Sequence, residues 1–223
     1  IQSMADVLDV AGEDWTVLSE ETAAGTELYD LGYADDASTQ ARRLAETVIA
    51  SRAKRVVFLS TADFRTAQKW FSQWGVERPS SLELEHASQY LARRAGKLHF
   101  RVPPPALTGY HDCAWLGRGL GIYEEPRDVV RAVTGADPLE FTENRRAALS
   151  SGAGTSLYLT HPDLALRIAG AVIAQAEEAG MEVLVSANPI DRVILSKAAR
   201  ETDSPVTCQD LVTVVASALE RKK

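Results

Sequence analysis

The sequence predicts an α/β fold of two tandem, pseudo-symmetric units, with largely parallel sheets flanked by helices. Three observations predict it. Short β-rich runs alternate with amphipathic helical stretches along the chain. Two long segments, 23–63 and 150–191, repeat the same order of features. At 223 residues, the chain is long enough for one large or two small domains with a real core.

The elements follow in order. Residues 4–18 supply a helix and the strand "WTVLS" (15–19). Ala37, Ala41, Leu44, Ala45, Val48 and Ile49 recur at helical spacing after the start signal Asp35-Asp36. "RVVFLS" (55–60) and "LELEH" (82–86) read as strands, and Trp70, Phe71 and Trp74 as residues packing a helix onto a sheet. The proline-rich "RVPPPALTG" (101–109) reads as a linker, which divides the chain into units 1–105 and 106–223. "TGYHD" (108–112) is the next strand, followed by a helix after Pro126 and the strand "LEFT" (139–142). Thr160-His161-Pro162-Asp163 opens a helix with the stripe Leu164, Ile168, Val172 and Ala176, closed near Gly180. "EVLVSA" (182–187) is a strand, and Leu211, Val214, Val215, Ala218 and Leu219 mark the last helix. The basic ending Arg221-Lys222-Lys223 suits a helix C-terminus.

Within the repeat, Ala23-Ala24-Gly25 aligns with Ser150-Ser151-Gly152, and "STAD" (60–63) with "NPID" (188–191). The second unit begins with "TGYHD", for which the first has no counterpart, so the expectation is a first unit without its leading strand and a chain cut short at its start. That would leave an open sheet edge, and with it a need for a partner or for self-association.

A net charge of −7 argues against sequence-independent nucleic-acid binding. No apolar run approaches the ~20 residues of a membrane span, and no secretory signal opens the chain. Two cysteines, Cys113 and Cys208, make neither a disulfide framework nor a four-thiolate site, so a reducing cytoplasm is the expected compartment.

"YHDCAWLGRGLGIYEEPRDVVRAV" (110–133) and "EFTENRRAALSSGAG" (140–154) carry a resemblance. They resemble the cysteine-rich CCG domains found in the B- and D-type subunits of heterodisulfide reductase and in the iron–sulfur subunits of glycolate and lactate oxidation systems. "ELYDLGY" (27–33) resembles the matching part of a first CCG unit. The resemblance implies redox-complex membership, and in the family the motif cysteines ligate iron–sulfur clusters or, in some copies, zinc. Carried over residue by residue, Ala114, Ser150, Ser151, Asn188 and Asp191 stand at ligand positions of the second unit, and Ala23, Ala24, Ser60 and Asp63 at those of the first. None is a cysteine. Clusters need anionic sulfur, usually four ligands, so the sequence leads to an expectation of no cofactor in this chain. Cys113 stands where proline is usual in the family. By strand alternation it is expected to face away from position 114. The former ligand positions are expected to converge on one pocket, with loops closed by serine, asparagine and aspartate hydrogen bonds.

His111 and Asp112 are the candidate catalytic pair, an acid/base braced by a carboxylate, or else anchors of a strand end. Arg118 with the nest Gly152–Gly154, joined by Arg127, Arg145 and Arg146, are anion-binding candidates, or else ordinary ion-pair residues. "GRGLG" (117–121) has no strand–turn–helix context for a dinucleotide loop. The sequence thus points to a structural or docking segment of a redox complex rather than an enzyme. The alternative is a repurposed polar cleft binding a small anion or carboxylic acid. A cluster held jointly with a partner chain is a third reading.

Overall fold

The computed structural model describes residues 1–101 and 106–220, so the proline run of the linker and the basic ending fall outside the described residues. The elements run α1 (Gln2–Val10), α2 (Thr26–Asp30), α3 (Ala34–Ala50), β1 (Arg55–Phe58), α4 (Thr61–Lys69), β2 (Glu83–His86) and α5 (Ala87–Arg94). The second half runs β3 (Thr108–His111), α6 (Gly117–Leu120), α7 (Glu124–Thr134), α8 (Leu157–Thr160), α9 (Pro162–Glu178), β4 (Val183–Ser186), α10 (Pro189–Glu201), β5 (Thr207–Asp210) and α11 (Leu211–Ala218).

Both sheets are parallel. β1 pairs with β2, Phe58 opposite His86. The second sheet has the order β3-β4-β5, with His111 opposite Ser186 and Ser186 opposite Asp210. The repeat therefore extends past the aligned segments: β2 and α5 correspond to β5 and α11. The correspondence reaches the caps. His86 and Asp210 end equivalent strands and both cap the helix that follows. His86 Nδ1 accepts the Ser88 N–H at 3.1 Å, and the Asp210 carboxylate accepts from Val212 at 3.0 Å.

Several expectations are corrected. "WTVLS" forms no strand. Its counterpart "LEFT" forms only a bridge, in which the Leu139 N–H donates to the Thr108 carbonyl of β3 at 2.8 Å. A two-stranded sheet offers 15–19 no such partner. β5 escapes sequence reading because "TCQD" has no apolar alternation, and pairing with β4 makes it a strand. The buried face of α9 is Ala165, Ala169, Val172, Ile173 and Ala176, while Leu164 points outward, so the stripe lies rotated from the one expected. Ile49 of α3 is likewise exposed. Trp70 and Trp74 lie beyond α4 and meet Tyr29 at tilted angles, with ring centroids 4.8 and 5.4 Å away, while Phe71 is buried in the core and Trp74 packs at its edge.

Helices cross between the halves. α1 packs on α11 of the second half, and α7 of the second half packs on α5 of the first. The core they share joins Met4, Val7, Tyr90 and Leu91 to Val129, Val130, Leu211 and Val215. Two satellite cores lie outward, one between α3 and the first sheet, one between α9, α10 and the second.

Two outcomes follow from this packing. Leu91→Ala, a truncation of a side chain 1% exposed in the shared core, should cost about 2–5 kcal/mol. Its urea unfolding should remain one transition, with near- and far-UV circular dichroism coinciding. Two separated transitions would show that the halves fold independently. His86 is neutral, since Nδ1 accepts and the proton sits on Nε2, and burial lowers its pKa to about 4. The unfolded chain then binds a proton that the folded one refuses. Stability from this group is complete above the unfolded value near 6.5 and is lost, by about 3 kcal/mol, as pH falls toward 4. His86→Asn, which keeps a cap, should flatten that acid slope. An NMR titration of the His86 ring with a midpoint near 6.5 would contradict the assignment.

Candidate functional site

The former ligand positions lie where loops leave the carboxyl ends of the strands, the usual location of sites in parallel sheets. Asn188 follows β4 at the N-cap of α10, and Asp191 sits in the first turn. The Ser151 hydroxyl donates to Asp191 Oδ1 at 2.7 Å and accepts the Ala153 N–H at 3.1 Å. Ser150 Oγ faces the Gly152 N–H at 3.4 Å. The Asn188 N–H donates to Ser186 Oγ at 3.2 Å. Ala114, half-buried, adds only its carbonyl, which accepts from Gly119 at 3.0 Å.

The first half repeats the pattern. Asp63 Oδ1 accepts the Ala24 N–H at 2.8 Å, and Ser60 Oγ caps α4 by accepting the Asp63 N–H at 3.2 Å. Ala23 is exposed and Ala24 buried. Each aspartate thus straps its helix to a small-residue loop, 39 residues earlier in one half and 40 in the other. Burial raises the Asp63 pKa against the pull of the Ala24 and Ser60 donors.

Two of the glycines allow a close backbone approach. Gly152 has φ +86° and Gly25 φ +89°. A Cβ on Gly152 would lie 2.3 Å from the Ala165 carbonyl oxygen of α9, and one on Gly25 2.5 Å from that of Ala37 in α3. Gly154 has more room, with Ser150 Oγ at 3.6 Å. Arg118 Nη1 donates to the Ala148 carbonyl at 2.5 Å and so supports the loop.

His111 and Asp112 do not bond to each other. His111 Nε2 donates to the Leu149 carbonyl at 3.1 Å, and Nδ1 is buried without a partner among the described residues. Both Asp112 oxygens face Arg127, at 2.8 and 2.7 Å, and Oδ2 also accepts the Arg145 N–H at 2.7 Å. Arg127 further binds Glu140 at 2.6 Å and lies over the Tyr110 ring. Burial opposes its charge, but the Glu140 and Asp112 carboxylates outweigh burial and raise its pKa. Arg145 pairs with Glu124 at 2.7 Å. Loss of one member of a buried pair such as Asp112–Arg127 costs about 3–5 kcal/mol. The arrangement anchors a strand end.

Cys113 lies just past the end of β3, and its side chain is buried. Sγ is 3.3 Å from Thr61 Oγ1 and beside Asp191. Burial, then the Asp191 charge, pushes the thiol pKa far up. Thr61 itself gave no signal in the sequence except its place inside "STAD". Arg65, also missed, lays its guanidinium 4.0 Å from the Trp115 ring and so ties α4 to the second half.

These residues do not fit an iron–sulfur cluster. One thiol is present, protonated and already bonded, among methyl, hydroxyl, amide and strapped carboxylate groups. Among the described residues, no group of three or more His, Cys, Asp or Glu is placed to hold a metal ion. No helix there is long and apolar enough to cross a membrane. A cleft of about 580 Å³ near Arg52, Lys54 and Ser81 lies at the opposite ends of β1 and β2, away from this chemistry.

No family model matches the chain. It is 30% identical over 220 residues to the D-type subunit of the dihydromethanophenazine:CoB–CoM heterodisulfide reductase of Methanosarcina barkeri, covering 96% of this chain and 53% of that protein. It is 24% identical over 222 residues to the probable iron-sulfur-binding oxidoreductase FadF of Bacillus subtilis, across 97% of this chain and 31% of the relative. A probable membrane-anchored ferredoxin of Chromohalobacter salexigens is 26% identical over 230 residues, covering 33% of its length. The chain thus spans about half the length of the reductase polypeptide and a third of the others. The expectation of no cofactor is overturned by these relatives, which include a probable iron-sulfur-binding oxidoreductase and a probable ferredoxin. The unsuitable residues describe these two loop clusters, not the cofactor content of the protein.

The glycine geometry is directly testable. Gly25→Ala and Gly152→Ala should each cost about 2 kcal/mol or more, from positive φ plus overlap with a helix carbonyl. Gly170→Ala, inside α9 with open space around it, should instead gain roughly 0.5–1 kcal/mol. Thermal melts of the three variants check the ordering. Equal effects would refute the close approach.

Proposed function

We propose, from the premise that this chain belongs to the CCG-domain family of the B- and D-type heterodisulfide reductase subunits, that it serves as a docking or structural segment of a redox complex. Its heterodisulfide reductase relatives are subunits by name. The observation that supports a docking role is how the polar groups at the former ligand positions are used. Asp191 holds Ser151, Asp63 holds Ala24, Asp112 is locked by Arg127, and Arg118 supports a loop carbonyl. Groups spent on holding loops are not free to bind substrate or transfer protons. The result is a rigid frame that can hold partner surfaces in register.

The alternative, a small-anion or carboxylic-acid site, depends on Arg118, Gly152 and Gly154. The first is engaged by Ala148, and Gly152 is explained by the approach to α9. An acid/base role for His111 would need an orienting carboxylate, and Asp112 faces Arg127 instead. Docking is therefore the better supported reading.

The test is co-expression with flavin- and iron–sulfur-containing oxidoreductase subunits, chosen from the genes that neighbour the one for this chain. Size-exclusion chromatography with iron and flavin quantified across the peaks should show one complex. Its dye-linked electron transfer should fall by about tenfold or more when this chain is omitted, the loss expected when reacting groups are no longer held in position. A chain that elutes alone, with electron transfer unchanged by its omission, would overturn the proposal.

A further inference from the structure

The two sheets correspond residue by residue, and the second has a strand that the first lacks. The Lys54 carbonyl accepts the Glu83 N–H at 3.0 Å, as the Glu182 carbonyl accepts that of Thr207 at 2.9 Å. Arg55, Val56, Val57 and Phe58 of β1 therefore stand where Val183, Leu184, Val185 and Ser186 stand in β4. In a parallel ladder, alternate residues bond to alternate sides. Val183 and Val185 face β3, and the Val183 N–H donates to the Leu107 carbonyl at 3.1 Å. Arg55 and Val57 face outward, where no strand lies among the described residues. Burial follows the same difference: Leu184, Val185 and Ser186 are buried, whereas Val56, Val57 and Phe58 are only half-buried. The other neighbour of a β3-like strand is present as well. Leu139, bridged to Gly109 of β3, packs against the satellite core that holds Leu184. Leu18 packs with Val56 against the other satellite core, while Val17 beside it is left 47% exposed.

We propose that the outer edge of β1 is a docking site for one extended segment of a partner subunit, added as a parallel strand where β3 lies in the second half. The inference rests on the docking role proposed above and gives that role a location. Unpaired N–H and C=O groups on a sheet edge are a template for an incoming strand. A second copy of β1 cannot fill the place, because one of its edges is held by β2 and the other cannot serve β1 and residues 15–19 together. The repeat also gives the chemistry of the occupant. Tyr110, opposite Val185, is buried in the shared core, and Val57 and Leu59 lie at the edge of that core. The residue opposite Val57 is therefore bulky and apolar. A Cβ on Gly109, opposite Leu184, would lie 2.1 Å from the Met181 sulfur. Ala53 stands at the place of Met181, so the position opposite Val56 admits a side chain. Arg52 and Lys54 line the cleft at the amino end of β1, and neither is in an ion pair among the described residues. A parallel strand enters from that end, so acidic residues precede its apolar one.

Backbone amide exchange, read residue by residue by NMR, tests the placement. In the free chain the Val56 and Phe58 amides, bonded to β2, should exchange slowly, and those of Arg55 and Val57 fast. In the complex with the subunits named above, Arg55 and Val57 should slow by about tenfold or more. Val57→Pro removes only an outward N–H and should abolish assembly, whereas Val57→Ala keeps that N–H and should still assemble. Where Val57→Pro does not fold, the exchange rates decide alone. A complex in which Arg55 and Val57 stay fast, or one that a folded Val57→Pro still forms, overturns this inference and leaves the docking role standing. Slow exchange of both amides in the free chain overturns it too, since the edge is then already covered. If no complex forms, the docking role falls, and a synthetic peptide of residues 106–112, which carries β3, decides the edge. At millimolar concentration it should slow the same two amides, and unchanged rates overturn the inference.

Discussion

The rest of the molecule depends on the exchange of helices between its halves. α1 leaves the first half to pack on α11, and α7 leaves the second to pack on α5. The buried contacts of Val7, Leu91, Val130 and Leu211 thereby form one core that neither half could complete alone. Burial of such side chains is worth roughly 1.5–3 kcal/mol each, so the two halves stabilise each other. The same exchange brings the carboxyl ends of the two sheets together. Thr61 of one half can therefore reach Cys113 of the other.

Upon that frame, the loops at the strand ends obey one constraint: buried polar groups must be paired. In both halves an aspartate in the first turn of a helix holds the loop of small residues that precedes the long helix. A glycine in that loop then lets the backbone meet the long helix. Asp112 and Arg127 fix the one loop that has no counterpart in the first half. His111 Nδ1, Asn188 Nδ2 and Asp191 Oδ2 have no partner among the described residues.

The kinship of the chain and the chemistry of its loops bear on different things. The relatives include iron–sulfur proteins, and the chain spans only part of their length. The loops here carry hydroxyl and carboxylate groups bonded to their neighbours, beside an Asn188 amide whose Nδ2 has no partner among the described residues. The two loop clusters are thus tied to their helices by hydrogen bonds within this chain.

The fold class and the duplication were legible in the sequence because they rest on local order: alternating elements and two matching segments. Gly25, Gly152, Asp63 and Asp191 stood out for the same reason, each sitting at a repeated position. What the sequence could not reveal depends on partners far along the chain. "TCQD" is a strand because β4 lies beside it, and "WTVLS" is not one because no strand does. The face of α9 is turned by the close approach of Gly152 to Ala165. Cys113 points inward because Thr61 receives it, from 52 residues earlier in the chain. Periodicity reports which residues share a face, but only packing against distant segments decides which face is buried and which polar group finds its partner.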